Sequence, residues 1–180
     1  SSDLFAEKLT SLAEKNDRIA AITAAMPLGT GLDCFQKKFP ERFFDVGICE
    51  QHAVTFASGL STAGLKPVIG IYSTFLQRSY DQIFHDISMQ KDIDAVFAVD
   101  RAGLVGADGF SHHGLHDISM MRVFPGTICM APKDGRELEM MLAYAVRKKG
   151  VFAIRYPRER IPPRLARGRY PKIEPGQSEI

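Results

Sequence analysis

Hydrophobic positions in this chain switch repeatedly between two periods. Residues 3–14 place Leu4, Phe5, Leu9 and Leu12 on one face of a helix, and residues 18–23 follow as a short apolar run that reads as a strand. A turn-rich stretch over 24–31, with Pro27, Gly29 and Gly31, then leads to a short helix near 32–39. Residues 42–48 carry Phe43, Phe44, Val46 and Ile48, a run that suits a buried parallel strand. Ala53, Phe56, Ala57 and Leu60 stand at i, i+3, i+4 and i+7, which predicts an amphipathic helix beginning near Glu50. Residues 67–72 (P-V-I-G-I-Y) form the third strand. The pattern over 75–90 predicts one helix with Leu76, Tyr80, Ile83, Phe84 and Ile87 buried and Arg78, Asp81, Gln82 and His85 opposite them. Strands over 94–99, 127–131 and 151–156, a long loop over 100–116 and a helix over 134–148 complete the series. Strands alternating with helices predict an α/β fold, a single domain whose mostly parallel sheet has helices on both faces.

Composition narrows this picture without redirecting it. With 180 residues and 45% hydrophobic content, the chain can bury one full core. The formal charge of +2 belongs to the tail, where Arg158, Arg160, Arg164, Arg167, Arg169 and Lys172 outnumber Glu159, Glu174 and Glu179. No aromatic interleaving accompanies those cations, so no nucleic-acid partner is expected. Half of the ten prolines also fall there, at Pro157, Pro162, Pro163, Pro171 and Pro175. That composition divides the chain into a domain over 1–158 and a Pro/Arg-rich linker over 159–180 leading towards an absent C-terminal domain. Cys34, Cys49 and Cys129 lie far apart without paired spacing, which predicts reduced cysteines and a cytoplasmic protein. No apolar run approaches the roughly 18 residues of a membrane span, so no membrane partner is expected.

Glu50 stands at a strand-to-helix junction, on the side where ligands of open α/β sheets bind. Its alternative role is to favour the positive end of its own helix, worth about 0.3–1 kcal/mol. The loop over 100–114 holds Arg101, Asp108, His112 and His113 among four glycines, a mixture typical of functional or disordered loops. Its G-A-D-G string suggests a metal–diphosphate site, but Asn16, the only asparagine, lies upstream, so no metal ligands are assigned. Arg101, Arg155 and Arg158 fall at or past strand ends, where guanidinium groups can grip a phosphate. Tyr72 and Phe75 flank the end of the third strand, where an aromatic is either core or a stacking surface.

Four strings, C-E-Q-H-A-V-T-F-A-S-G-L, I-Y-S-T-F-L-Q-R-S-Y-D-Q-I-F-H-D, D-R-A-G-L-V-G-A-D-G and R-Y-P-R, resemble the central, transketolase-like pyrimidine-binding domain of the 1-deoxy-D-xylulose 5-phosphate synthase family. The resemblance covers nearly all of residues 3–158. It implies a transferase that condenses pyruvate with D-glyceraldehyde 3-phosphate on thiamine diphosphate, releasing carbon dioxide, in isoprenoid and thiamine biosynthesis. By this resemblance Glu50 hydrogen-bonds N1′ of the cofactor's pyrimidine and promotes the tautomer that removes the thiazolium C2 proton. Ile48, Phe75 and Arg78 would line the pyrimidine. Tyr72, Arg101 and Arg158 match positions that hold the acceptor's phosphate, and Asp108 and His112 match groups near the reacting carbons, His112 as a candidate for proton transfer. Phe110, His116 and Glu159 depart from the family's usual residues. The family's full chain also has an amino-terminal domain that binds the diphosphate through Mg2+, and forms a homodimer.

The reading is therefore a fragment of such a synthase, holding half of an active site and inactive alone. Two alternatives stand beside it. One is a subunit of a split transketolase or 2-oxoacid dehydrogenase E1 enzyme, and the other is a fold-sharing module without catalysis, which the joint presence of Glu50, Phe75, Arg78 and His112 disfavours.

Overall fold

The computed structural model describes residues 1–159, 161 and 170–178. Six strands, β1 (Ile19–Thr23), β2 (Phe43–Asp45), β3 (Lys66–Tyr72), β4 (Ala95–Asp100), β5 (Thr127–Met130) and β6 (Val151–Arg155), form one sheet in the order β2-β1-β3-β4-β6-β5. Every pairing is parallel. Side chains alternate across the sheet as the two-residue period of a strand requires. Ile19, Ala21, Val68, Val96, Ala98, Phe152 and Ile154 enter one core, covered by α1 (Ser2–Ala13), α2 (Asp33–Lys38) and α7 (Gly135–Arg147). Ile22, Ile69, Ile71, Phe97, Val99 and Ala153 enter the other, beneath α3 (Glu50–Thr62), α4 (Ser73–Leu76) and α6 (Asp117–Met121). Both faces are covered, as the alternating pattern predicts.

Three expectations are corrected. The second strand ends at Asp45, and Ile48 beyond it is 83% exposed rather than part of a buried run. β2 is an edge strand: Phe43 is buried, Phe44 and Val46 pack partly against the core beneath α3, and the run turns outward only at Ile48. The helix expected over 75–90 is a composite: α4 is followed by a 3-10 turn (Gln77–Ser79), α5 (Tyr80–Gln82) and a π turn (Ile83–Ser88). A tight turn followed by a wide one shifts the helical register, so Leu76, Ile83 and Ile87 remain buried while Tyr80 and Phe84 are turned outward. Finally, α6 lies within a stretch that carries too few periodic positions to predict a helix; Met120 and Met121 fasten it to the core.

Of the proline-rich tail, the described residues contain no helix or strand. Ile173 packs against the core beside α7, and the Tyr170 hydroxyl donates to Asp134, the N-cap of that helix. The rest of the expected linker, residues 160, 162–169 and 179–180, lies outside the described residues.

Candidate functional site

Strand order reverses direction between β1 and β3, and the loops after these strands part there, at the carboxyl edge of the sheet. Glu50 opens α3 at this edge and is 2% exposed. Its Oε1 accepts a hydrogen bond from Arg78 Nη1 at 3.0 Å. Oε2 has no hydrogen-bond partner among the described residues, although the carboxyl is buried. Arg78 occupies the 3-10 turn, so the break in the helical segment is what aims it across at α3. Because half of the Arg78 side chain remains in solvent, the pair adds little to stability and serves mainly to orient the carboxyl group.

An aromatic row runs on from this pair. Arg78 lies 4.9 Å from the Phe75 ring centre, Phe75 stacks on Tyr72 at 5.7 Å, and the His112 ring meets Phe75 edge-on at 5.5 Å. Arg101 covers the other part of the row, 3.6 Å from the centre of the Tyr72 ring. Tyr72 ends β3 and burial raises its phenol above its ordinary pKa, with the Arg101 charge opposing that rise. Tyr72 also presses on Gly29, where an added Cβ would come within 1.6 Å of the phenol oxygen. Only glycine permits that approach.

Arg101 is the hub of a charged cluster. Its backbone has a φ of 59°, a left-handed conformation uncommon outside glycine. That turn is supported by Asp100, whose Oδ1 accepts the Arg101 backbone N–H at 2.6 Å and whose Oδ2 accepts from Ser2 Oγ at 2.7 Å. Asp100 is fully buried, and burial raises its pKa against these hydrogen bonds and the Arg101 charge. The Arg101 guanidinium donates to Gly29 O at 3.1 Å and pairs through Nε with Asp108 Oδ2 at 3.1 Å. Arg158 Nε reaches the same Asp108 oxygen at 3.3 Å.

Eight of the nine residues to which the family resemblance gives a role thus form one contiguous surface: Glu50, Arg78, Phe75, Tyr72, His112, Arg101, Asp108 and Arg158. The ninth, Ile48, stands in solvent and makes no wall for Glu50 within this chain. Arg155 separates from the other arginines: its Nε donates to the buried Asp117 at 2.9 Å, which fastens α6 to β6. His113 is likewise internal, its Nδ1 accepting the Val105 N–H at 3.2 Å. Sequence reasoning missed Gly29, Ser2 and Asp100, which support Arg101. Asp100 ends an apolar strand directly before Arg101, and that acidic ending was the signal available. Among the described residues no three His, Cys, Asp or Glu side chains are grouped to hold a metal ion. No helix among them is long and apolar enough to cross a membrane.

The sequence profile of the transketolase pyrimidine-binding domain matches residues 1–163. The chain belongs to the transketolase pyrimidine-binding domain family. Among curated relatives it is 60% identical over 157 residues to a 1-deoxy-D-xylulose-5-phosphate synthase of Thermomicrobium roseum, covering 87% of this chain and 25% of that protein. A synthase of the same name from Dictyoglomus thermophilum is 52% identical over 179 residues, 99% of this chain and 29% of the relative. The chain therefore spans about a quarter of the length of these relatives. Among solved structures, a split-gene transketolase described as an inactive β4 tetramer superposes with a TM-score of 0.74 at 30% identity, over 85% of this chain and 49% of that one. A transketolase of Pichia stipitis gives a TM-score of 0.75 at 16% identity, over 86% and 25% respectively, a likeness of fold.

Proposed function

We propose that the chain is the pyrimidine-binding portion of a thiamine-diphosphate-dependent 1-deoxy-D-xylulose 5-phosphate synthase, and that Glu50 is its proton-handling carboxyl group. The observation that carries this reading is the Glu50 side chain itself: buried, oriented through one oxygen by Arg78, whose guanidinium lies over the Phe75 ring, and with the other oxygen accepting no hydrogen bond among the described residues. That second oxygen is left available to a ligand, and a pyrimidine ring nitrogen would supply its hydrogen-bond partner. The site residues fit such a ring, with Phe75 offering a half-buried aromatic face and Arg78 lying beside it.

When bound, thiamine diphosphate supplies the carbanion chemistry of the condensation. Glu50 exchanges a proton at N1′ of the pyrimidine, and Arg78 keeps the carboxyl in position for it. Tyr72, Arg101 and Arg158 bind the phosphate of D-glyceraldehyde 3-phosphate, and Asp108 and His112 border the reacting carbons, with His112 moving a proton there. Mg2+ and the diphosphate fall to a part of the protein outside these residues. The same reading makes the protein cytoplasmic and a homodimer, with a domain over 1–158 and a linker beyond it. This chain alone would hold half a site and catalyse nothing.

The test uses the full-length synthase. Glu50→Gln is nearly isosteric but cannot exchange the proton, so deprotonation at C2 of the cofactor, followed by deuterium exchange and NMR, should slow about 10²–10⁴-fold. Arg101→Ala should leave that exchange unchanged and raise the KM for the phosphorylated acceptor. Normal exchange in Glu50→Gln would remove Glu50 from the reaction.

A further inference from the structure

The loop that carries Asp108 is closed at its base and sparsely tied at its tip. Gly103 and Gly114 exchange backbone hydrogen bonds, N–H to O at 2.9 and 2.8 Å, which closes its base. Gly114 must be glycine, because a Cβ would lie 2.5 Å from both Arg101 O and Ser73 Oγ. Just inside the base, Val105 is buried and tied to His113. Between these anchors residues 106–112 form two short 3-10 turns, with Gly106 and Gly109 at positive φ and open space around both. Among the described residues, the polar ties from this tip to the body are the ion pairs of Asp108 and one hydrogen bond from Thr74 Oγ1 to Ser111 O at 3.1 Å.

Asp108 is placed as an anion would be. One carboxylate oxygen is shared by two guanidinium groups from different elements, Arg101 after β4 and Arg158 after β6. Arg101 is largely buried and meets Asp100 Oδ2 at 3.6 Å on one side, which leaves Asp108 as the anion on the side it shares with Arg158. A phosphate entering between the arginines would compete for the same N–H donors and meet a like charge at Asp108.

We propose that Asp108 is an internal latch: it occupies the anion position between Arg101 and Arg158, and a phosphate group arriving there displaces it and releases residues 106–112. This rests on the reading of the two arginines as the phosphate site. The released tip carries His112, so entry of the phosphorylated acceptor would free the histidine from its place against Phe75 to reach the reacting carbons. Linkage makes the effect reciprocal, since whatever factor the latch takes from phosphate affinity, phosphate takes from latch closure.

Inorganic phosphate titrated calorimetrically into this chain, its Asp108→Asn and Asp108→Ser variants, and Arg101→Ala and Arg158→Ala, tests the proposal. Both Asp108 variants should bind phosphate about tenfold tighter than the parent chain, within the 5–150-fold range of ordinary couplings. Phosphate should also accelerate amide exchange across 106–112 in the parent and leave it unchanged in Asp108→Asn. Equal affinity in parent and Asp108 variants, with binding lost in the arginine variants, would overturn the latch and leave the arginine reading standing. Undiminished binding in the arginine variants, or no binding in any form, would overturn both. Slower exchange over 106–112 with phosphate would overturn the latch.

Discussion

The two ends of the sheet treat their polar groups in opposite ways. At the amino ends of the strands, Lys66 donates to Lys148 O at 2.7 Å, and Arg42 Nη1 donates to the carbonyls of Ala13, Asn16 and Ile19 at 3.2–3.4 Å. Asp94 accepts the Gly150 N–H at 2.6 Å while its own N–H donates to Ser61 Oγ at 2.8 Å. These side chains finish the hydrogen bonding of turns and helix ends. At the carboxyl ends, Ser73 Oγ, Ser79 Oγ and the Tyr156 hydroxyl are buried without a hydrogen-bond partner among the described residues. Leu28, Ile48, Leu104, Phe110 and Leu115, which all follow carboxyl strand ends, are exposed. One end is closed on itself and secures the fold. The other leaves donors, acceptors and apolar surface unused, as a surface shaped for something outside this chain would.

The largest test of that contrast pairs two phenylalanines. Phe152, 1% exposed near the amino end, should cost about 3–5 kcal/mol when changed to alanine, whereas Phe110, 89% exposed, should change stability by less than about 0.5 kcal/mol. Urea unfolding of both variants decides it, and a comparable loss in Phe110→Ala would show that the carboxyl end also secures the fold. Gly114→Ala should have an intermediate effect. The new Cβ meets backbone at Arg101 O, so overpacking should cost about 1–3 kcal/mol and displace the loop base. The chemical shifts of residues 101–114 should move while those of β1 and β2 stay.

A third test concerns pH. Burial lowers the Lys66 amine to about 8, with Asp94 opposing the shift. Below pH 8 both folded and unfolded chains hold this proton, and the full cost of burying the charge is present. Between about 8 and 10.5 the unfolded chain still holds the proton and the folded one has lost it, so stability rises with pH. The rise should be absent in Lys66→Met. A parent chain whose denaturation midpoint falls over that interval no less than the variant's would contradict it.

The periods of the hydrophobic pattern carried most of the architecture, because a parallel sheet buried on both faces writes itself as continuous apolar runs. They failed where local geometry departs from a regular period. Tyr80 and Phe84 fit a 3.6-residue stripe, but the 3-10 and π turns around them rotate that stripe outward. Residues 42–48 fit a strand, but the edge strand ends at Asp45 and the run turns outward at Ile48. Glu50 was legible because its junction is local. The partition of the arginines was not: Arg155 and Arg158 stand three residues apart, and only the position of Asp117 and Asp108 in space tells the structural one from the one facing the site.

The contact between Gly29 and Tyr72 links two positions far apart in sequence into a single design choice. No side chain fits at 29 while a phenol stands at 72, and the Gly29 carbonyl also steadies Arg101. Substitutions at 29 should therefore be tolerated only where 72 has already become small. A phenol lost at 72 would in turn take away the ring on which Arg101 rests. In a library randomised at both positions, selection for folding alone would admit many pairs, but selection that also requires the arginine in place would return the glycine–tyrosine pair and few others.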